Sequence, residues 1–160
     1  MKDSYFLDGC AILWAVVWPS SGNAVVQDYV DAFRAHIRHY QETTDVSLIF
    51  DRYISGSRKE MTRHARDKGA TKVFKLKLTS RLPAAMLLFS VTANKVQIKD
   101  YIVKDLIDHK DDAVNHSLII TGAEAVPYEV TDGVVIRRRD LETTKEADTI
   151  ILKQVSQDWP

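Results

Sequence analysis

The 160-residue chain carries a single cysteine, Cys10, and no excess of either charge. One cysteine cannot close an internal disulfide, which fits a reducing compartment, cytosolic or nuclear. Lys+Arg and Asp+Glu number 22 each, so net charge points to no partner and only its local distribution informs. Long apolar runs are missing too. The longest, from Cys10 to Trp18, is too short to span a bilayer and lacks the small-residue cleavage pattern of a secretory leader. The five histidines show no metal-ligand spacing with Cys10 and form no nucleophile–His–acid arrangement. No Gly-rich phosphate loop is present, which removes the common nucleotide-binding fingerprints. Without repeats, low-complexity tracts or an interdomain linker, residues 1–160 are expected to form one domain.

What is present is an alternation of strand and helix patterns. A hydrophobic content of 45% beside 28% charged residues is that of a folded globular chain rather than a disordered one. Residues 4–7 read as a strand that enters a tight turn at Asp8-Gly9, followed by an apolar helix over 11–17 that stops at Pro19. Asn23 is placed to cap the next helix, in which Val26, Tyr29, Val30, Phe33, Ile37 and Tyr40 recur at three- and four-residue spacing. Val46-Ser47-Leu48-Ile49-Phe50 is a continuous apolar run, as in a parallel strand covered on both faces. Further along, Asn94 opens a helix with Ile98, Ile102 and Leu106 on one stripe, and Ser117-Leu118-Ile119-Ile120 reads as a third core strand. Residues 128–130 and 134–136 flank Asp132-Gly133 as a hairpin, and Thr143 or Thr144 caps a last helix. This order predicts an α/β domain of Rossmann-like, three-layer form, with a mostly parallel central sheet and helices on both faces.

In such sheets ligands bind beyond the carboxyl ends of the strands. Asp8 and Asp51 each stand at the first position after an apolar run, in Phe6-Leu7-Asp8-Gly9 and Leu48-Ile49-Phe50-Asp51. On parallel neighbouring strands both carboxylates emerge at one edge, where oxygen ligands suit a hard cation such as Mg²⁺ or Mn²⁺. Glu146-Ala147-Asp148, in the first turn of the last helix, is the third acidic element. Each has a plainer role open to it: an Asp after a strand forms turns, and Glu146 can close a capping box with Thr143.

The pattern resembles the PIN-like nucleases, and within them the flap-endonuclease-type branch. The matching features are the Asp-Gly and Phe-Asp strand ends and the Glu-Ala-Asp helix start, with Glu142 to Thr149 similar to a segment of one eukaryotic group in that branch. The resemblance runs from Leu7 to about Gln154 and implies that Asp8, Asp51, Glu146 and Asp148 are catalytic metal ligands for Mg²⁺ or Mn²⁺. The implied activity is phosphodiester hydrolysis in DNA or RNA; a catalytically inactive PIN-like module that binds nucleic acid or protein is the alternative. An unrelated Rossmann-like domain is a third reading. The resemblance also implies a further strand with more acidic ligands beyond Pro160, so that the site is expected to lack its last strand and to cleave poorly.

Arg52 to Arg81 is strongly basic, with Arg58, Lys59, Arg63, Arg66, Lys68, Lys72, Lys75 and Lys77 facing only Glu60 and Asp67. Residues 57–68 are compatible with a helix ended by Gly69, whereas residues 73–78 show no clear period. Arg52, Arg58, Lys59, Arg63, Arg66 and Lys68 are the candidate nucleic-acid contacts, neutralising phosphates without reading sequence. A solvated helix face accounts for them as well. Arg137-Arg138-Arg139 forms a second basic cluster, Cys10 is expected to be small and buried, and Trp14 and Trp18 are expected in the core rather than as a base-stacking platform.

Overall fold

The computed structural model describes residues 4–19, 22–50, 72–112, 116–122 and 126–141. Strand β1 (Ser4–Asp8) runs directly into helix α1 (Gly9–Ala15), and α2 (Val26–Gln41) and β2 (Asp45–Ile49) follow. Beyond them come a short α3 (Ala85–Phe89), α4 (Thr92–Asp108), β3 (Leu118–Thr121), β4 (Tyr128–Thr131) and β5 (Val134–Arg137).

The five strands form one sheet in sequence order. β1, β2 and β3 are parallel, with Asp8 beside Ile49 and Ile49 beside Thr121, so the three strands end level at one edge. β4 and β5 continue the sheet antiparallel. The expectation of a mostly parallel sheet is therefore corrected: among the described residues the sheet is mixed, because the hairpin extends it. That hairpin turns through Asp132 and Gly133, at φ 49° and 77°, the left-handed pair that a two-residue turn requires.

Helices flank this sheet. Val26, Tyr29, Val30, Phe33 and Ile37 of α2 and Ile98, Ile102 and Leu106 of α4 join Val46, Leu48, Phe50, Leu118, Ile120 and Val130 in one buried cluster. The strand members alternate, as one sheet face demands. Ser47 and Ile49, on the opposite face, are also buried, which is why β2 reads as a continuous apolar run. Among the described residues no helix is long and apolar enough to cross a membrane.

Several local expectations change. α1 starts at Gly9, with no separate turn, because the Asp8 carboxylate caps it. Tyr40 and Cys10 are half-buried rather than buried. Trp18 packs against Tyr29 and Phe89, but Trp14 is 50% exposed with only an edge contact to Phe89. The apolar run is longer than the face that the core accepts: Leu13 and Val16 turn inward, Trp14 and Val17 outward.

The piece without a period, residues 72–82, is a strap laid across α4 and the start of α2. Phe74 N–H donates to Asn94 Oδ1 (2.9 Å), and Asn94 Nδ2 donates to the Lys72 carbonyl (3.0 Å). Leu76 N–H donates to Gln97 Oε1 (2.9 Å), Gln97 Nε2 to the Phe74 carbonyl (2.7 Å), and the Tyr101 hydroxyl to the Leu76 carbonyl (2.6 Å). Asn94 is thus fully buried as a clamp inside α4, which begins two residues earlier, at Thr92. At its other end the strap caps α2. Val26 and Gln27 N–H donate to the Ser80 and Leu78 carbonyls, both at 2.9 Å. Val25, not Asn23, occupies the cap position, and its N–H donates to Asp28 Oδ2 at 2.8 Å. Tertiary acceptors here do what a capping side chain does elsewhere.

Candidate functional site

The level ends of β1, β2 and β3 are assembled around Phe50. Its N–H donates to the Thr121 carbonyl at 2.8 Å, tying the exits of β2 and β3 together. Gly122, at φ +98°, passes so close that a Cβ there would lie 2.0 Å from the Phe50 carbonyl oxygen. On the other side the Phe50 ring lies under Gly9, the first residue of α1, and stacks on Phe33 of α2 at 6.3 Å between centroids. One buried phenylalanine therefore fixes the strand end that carries Asp8 relative to the two neighbouring strand ends.

Asp8 itself is exposed. Its Oδ1 accepts from the N–H groups of Cys10 (3.0 Å) and Ala11 (3.4 Å), which holds the carboxylate in one orientation. Oδ2 accepts no hydrogen bond among the described residues, and no lysine or arginine among them pairs with the group. One oxygen positions the carboxylate, and the other has no partner among the described residues.

Of the four sequence-predicted carboxylates only Asp8 belongs to the described residues. Asp51, Glu146 and Asp148 lie outside them, as do Arg52, Arg58, Lys59, Arg63, Arg66 and Lys68 and the helix expected over 57–68. Phe50, the residue before Asp51, stands one position past Ile49, the partner of Asp8. Among the described residues no three His, Cys, Asp or Glu side chains are grouped to hold a metal ion.

Lys99 was not anticipated. It is only 6% exposed, and its Nζ donates to the Gly122 carbonyl at 3.3 Å, placing an ammonium group at the same sheet edge. The only sequence signal is its position next to the Ile98–Ile102 stripe, where it reads as the border of a helix face. The second basic cluster is tied into the hairpin: Arg138 pairs with Glu129 (3.3 Å) and Asp140 (2.8 Å), and Arg137 lies over the Tyr128 ring at 4.3 Å.

A groove of about 370 Å³ lies on the outer side of α2 and α4, lined by Gln27, Asp31, Leu78, Tyr101, Lys104, Asp105, Asp108 and His109. Its charges are mutually paired. Arg34 Nη1 donates to both Asp105 oxygens at 2.8 Å, and Lys104 donates to Asp108 at 2.8 Å. Burial alone would lower the Arg34 pKa, but the hydrogen bond to Asp105 and the charges of Asp105, Asp31 and Asp112 outweigh it and raise the value. Such an arrangement holds two helices together and leaves no reactive group unpartnered.

Comparison with known proteins returns no family model that matches the chain, and no significantly similar curated protein or solved structure.

Proposed function

We propose that the chain is a divalent-metal-dependent nuclease of PIN-like, three-layer architecture, acting on DNA or RNA. The observation that carries this is Asp8. It closes a parallel strand, is oriented through one oxygen by the start of α1, and keeps the other oxygen clear of the cationic side chains among the described residues. An anionic oxygen so held fits a hard cation. Asp51, the next residue in sequence after Phe50, supplies the second ligand in this reading, and Glu146 and Asp148 complete the set. When bound, Mg²⁺ or Mn²⁺ supplies water activation and stabilises the leaving oxygen of the phosphodiester. The residues hold the ion and fix its position against the substrate. Arg52, Arg58, Lys59, Arg63, Arg66 and Lys68 neutralise the substrate's phosphates in this reading.

The test is calorimetric titration of Mn²⁺ into the wild-type chain, Asp8→Asn and Asp51→Asn, paired with cleavage assays on single-stranded and flap oligonucleotides. Each substitution is expected to weaken Mn²⁺ binding at least about tenfold, the loss typical of a disrupted metal site, and to remove metal-dependent cleavage. Mn²⁺ binding that ignores Asp51→Asn would sink the assignment. Binding lost on substitution without any wild-type cleavage would point instead to an inactive PIN-like module.

A further inference from the structure

The strap is built to hold an extended backbone in one place. Asn94, Gln97 and Tyr101 lie three and four residues apart on one face of α4 and meet the strap at Lys72, Phe74 and Leu76. Two strap residues thus advance for each helical turn of about 5.4 Å, close to the rise of a strand. The extended form sets an alternation: Phe74, Leu76 and Leu78 pack on the core, while Val73, Lys75 and Lys77 face outward and are exposed. Lys72 is held apart from them, its ammonium 5.0 Å from the centre of the Phe74 ring. No acidic side chain among the described residues pairs with Lys75 or Lys77.

Position gives this stripe a direction. The C-terminal end of α4 lies at the amino edge of the sheet, where Arg38 donates to the His109 carbonyl and Gln41 to the His116 carbonyl just before β3, so Asn94, in the first turn of α4, lies towards the carboxyl edge. The Lys72 end of the strap is therefore the end nearest that edge. Past Leu78 the surface turns to a groove whose charges are already paired, Asp105 with Arg34 and Asp108 with Lys104. A polyanion is therefore attracted to the stripe and not to the groove beyond it.

We infer that residues 72–77 form a preorganised track for the sugar–phosphate backbone of one nucleic-acid strand, with Lys75 and Lys77 neutralising successive phosphates. Alternate residues of the strap stand about 5.4–6.6 Å apart, a spacing that lets each ammonium meet its own phosphate. The clamp matters because a lysine on a fixed backbone loses less freedom on binding than one on a mobile loop. The inference rests on the nucleic-acid reading above and gives Lys75 and Lys77, at the end of the basic stretch, a fixed backbone.

The experiment is fluorescence anisotropy of a labelled oligothymidylate, without divalent ions, across 50–200 mM NaCl. Each phosphate contact on a single strand adds about 0.7 to the salt slope, so Lys75→Gln/Lys77→Gln should lower the slope by about 1.4 and the affinity at 0.1 M by about 25-fold. Gln97→Ala, verified as folded by circular dichroism, should weaken binding with the slope intact, because the charges remain and only the clamp is lost. Lys104→Gln, beside the acidic groove, should change neither. If the wild-type chain binds no oligonucleotide at 50 mM NaCl, the nucleic-acid reading fails as a whole. If it binds and the double variant keeps the wild-type slope, the track alone is overturned. Polyglutamate binding with equal affinity and equal sensitivity to the double variant would overturn the assignment to nucleic acid.

Discussion

Replacing Gly9 with alanine puts a methyl group where the Phe50 ring already stands. The new Cβ would lie 2.4, 2.5 and 2.8 Å from three ring carbons, Cδ1, Cε1 and Cγ. Carbon atoms at rest sit about 3.5–4.0 Å apart, so the ring must retreat by about 1 Å. It has nowhere to go: Phe50 is 1% exposed, stacks on Phe33, and its backbone is tied to Thr121. Alanine favours helix over glycine by at most about 1 kcal/mol. Overpacking of a tight site costs about 1–3 kcal/mol, and a clash with three ring atoms at once belongs at the upper end. Gly9→Ala is therefore expected to destabilise by about 2 kcal/mol net, read as a lower urea midpoint at unchanged slope. Phe50→Leu makes room, so the double variant should show a coupling of at least about 1 kcal/mol, the size expected of residues in contact. Mn²⁺ affinity should fall in Gly9→Ala and partly recover in the double variant, because the same residue anchors the capped carboxylate of Asp8. Stability within about 0.5 kcal/mol of wild type, the range of a neutral surface change, would refute the steric argument.

The Tyr29 hydroxyl, buried and donating to the Leu13 carbonyl at 2.7 Å, has its pKa pushed well above the ordinary phenol range by burial. A raised folded-state pKa means stability that is complete below the unfolded value near pH 10 and is lost above it. Wild type should accordingly lose up to about 1.4 kcal/mol per pH unit more than Tyr29→Phe in alkaline urea titrations. At neutral pH that variant should be about 1–3 kcal/mol weaker, because it leaves a buried carbonyl unpaired; identical alkaline slopes would refute the assignment. Arg34→Met strands the Asp105 carboxylate, which is 9% exposed, and should cost about 2–4 kcal/mol. Pairing it with Asp105→Leu should recover most of that loss, as measured by thermal unfolding.

How much of this could be seen beforehand depended on where each segment finds its partners. The stripe of α2 and the apolar runs of β2 and β3 were legible because burial against a large core imposes a period that neighbouring residues share. The hairpin was legible because Asp132-Gly133 satisfies its turn locally. The strap was not. Its hydrogen-bond partners are side chains about twenty residues later on a helix, and an extended chain bonded to a helix has no period of its own. Asn94 misled for the same reason: it resembles a cap but serves as a clamp, so α4 starts before it. At the site, Asp8 was legible as an acid at a strand end. Lys99 was not, since its partner is a carbonyl on another element.

The start of α2 has a consequence for how the chain is made. Its first free amides are met by the Ser80 and Leu78 carbonyls, more than fifty residues later. On a ribosome adding about 5–20 residues per second, those acceptors emerge about 3–10 s after the helix that needs them. Until then the Val26 and Gln27 amides have only water as a partner, and the apolar stripe behind them lacks α4 as well. The nascent chain thus passes through a stage at which β1, α1 and α2 are complete in sequence but unable to close. During those seconds Tyr29, Phe33 and Ile37 are uncovered.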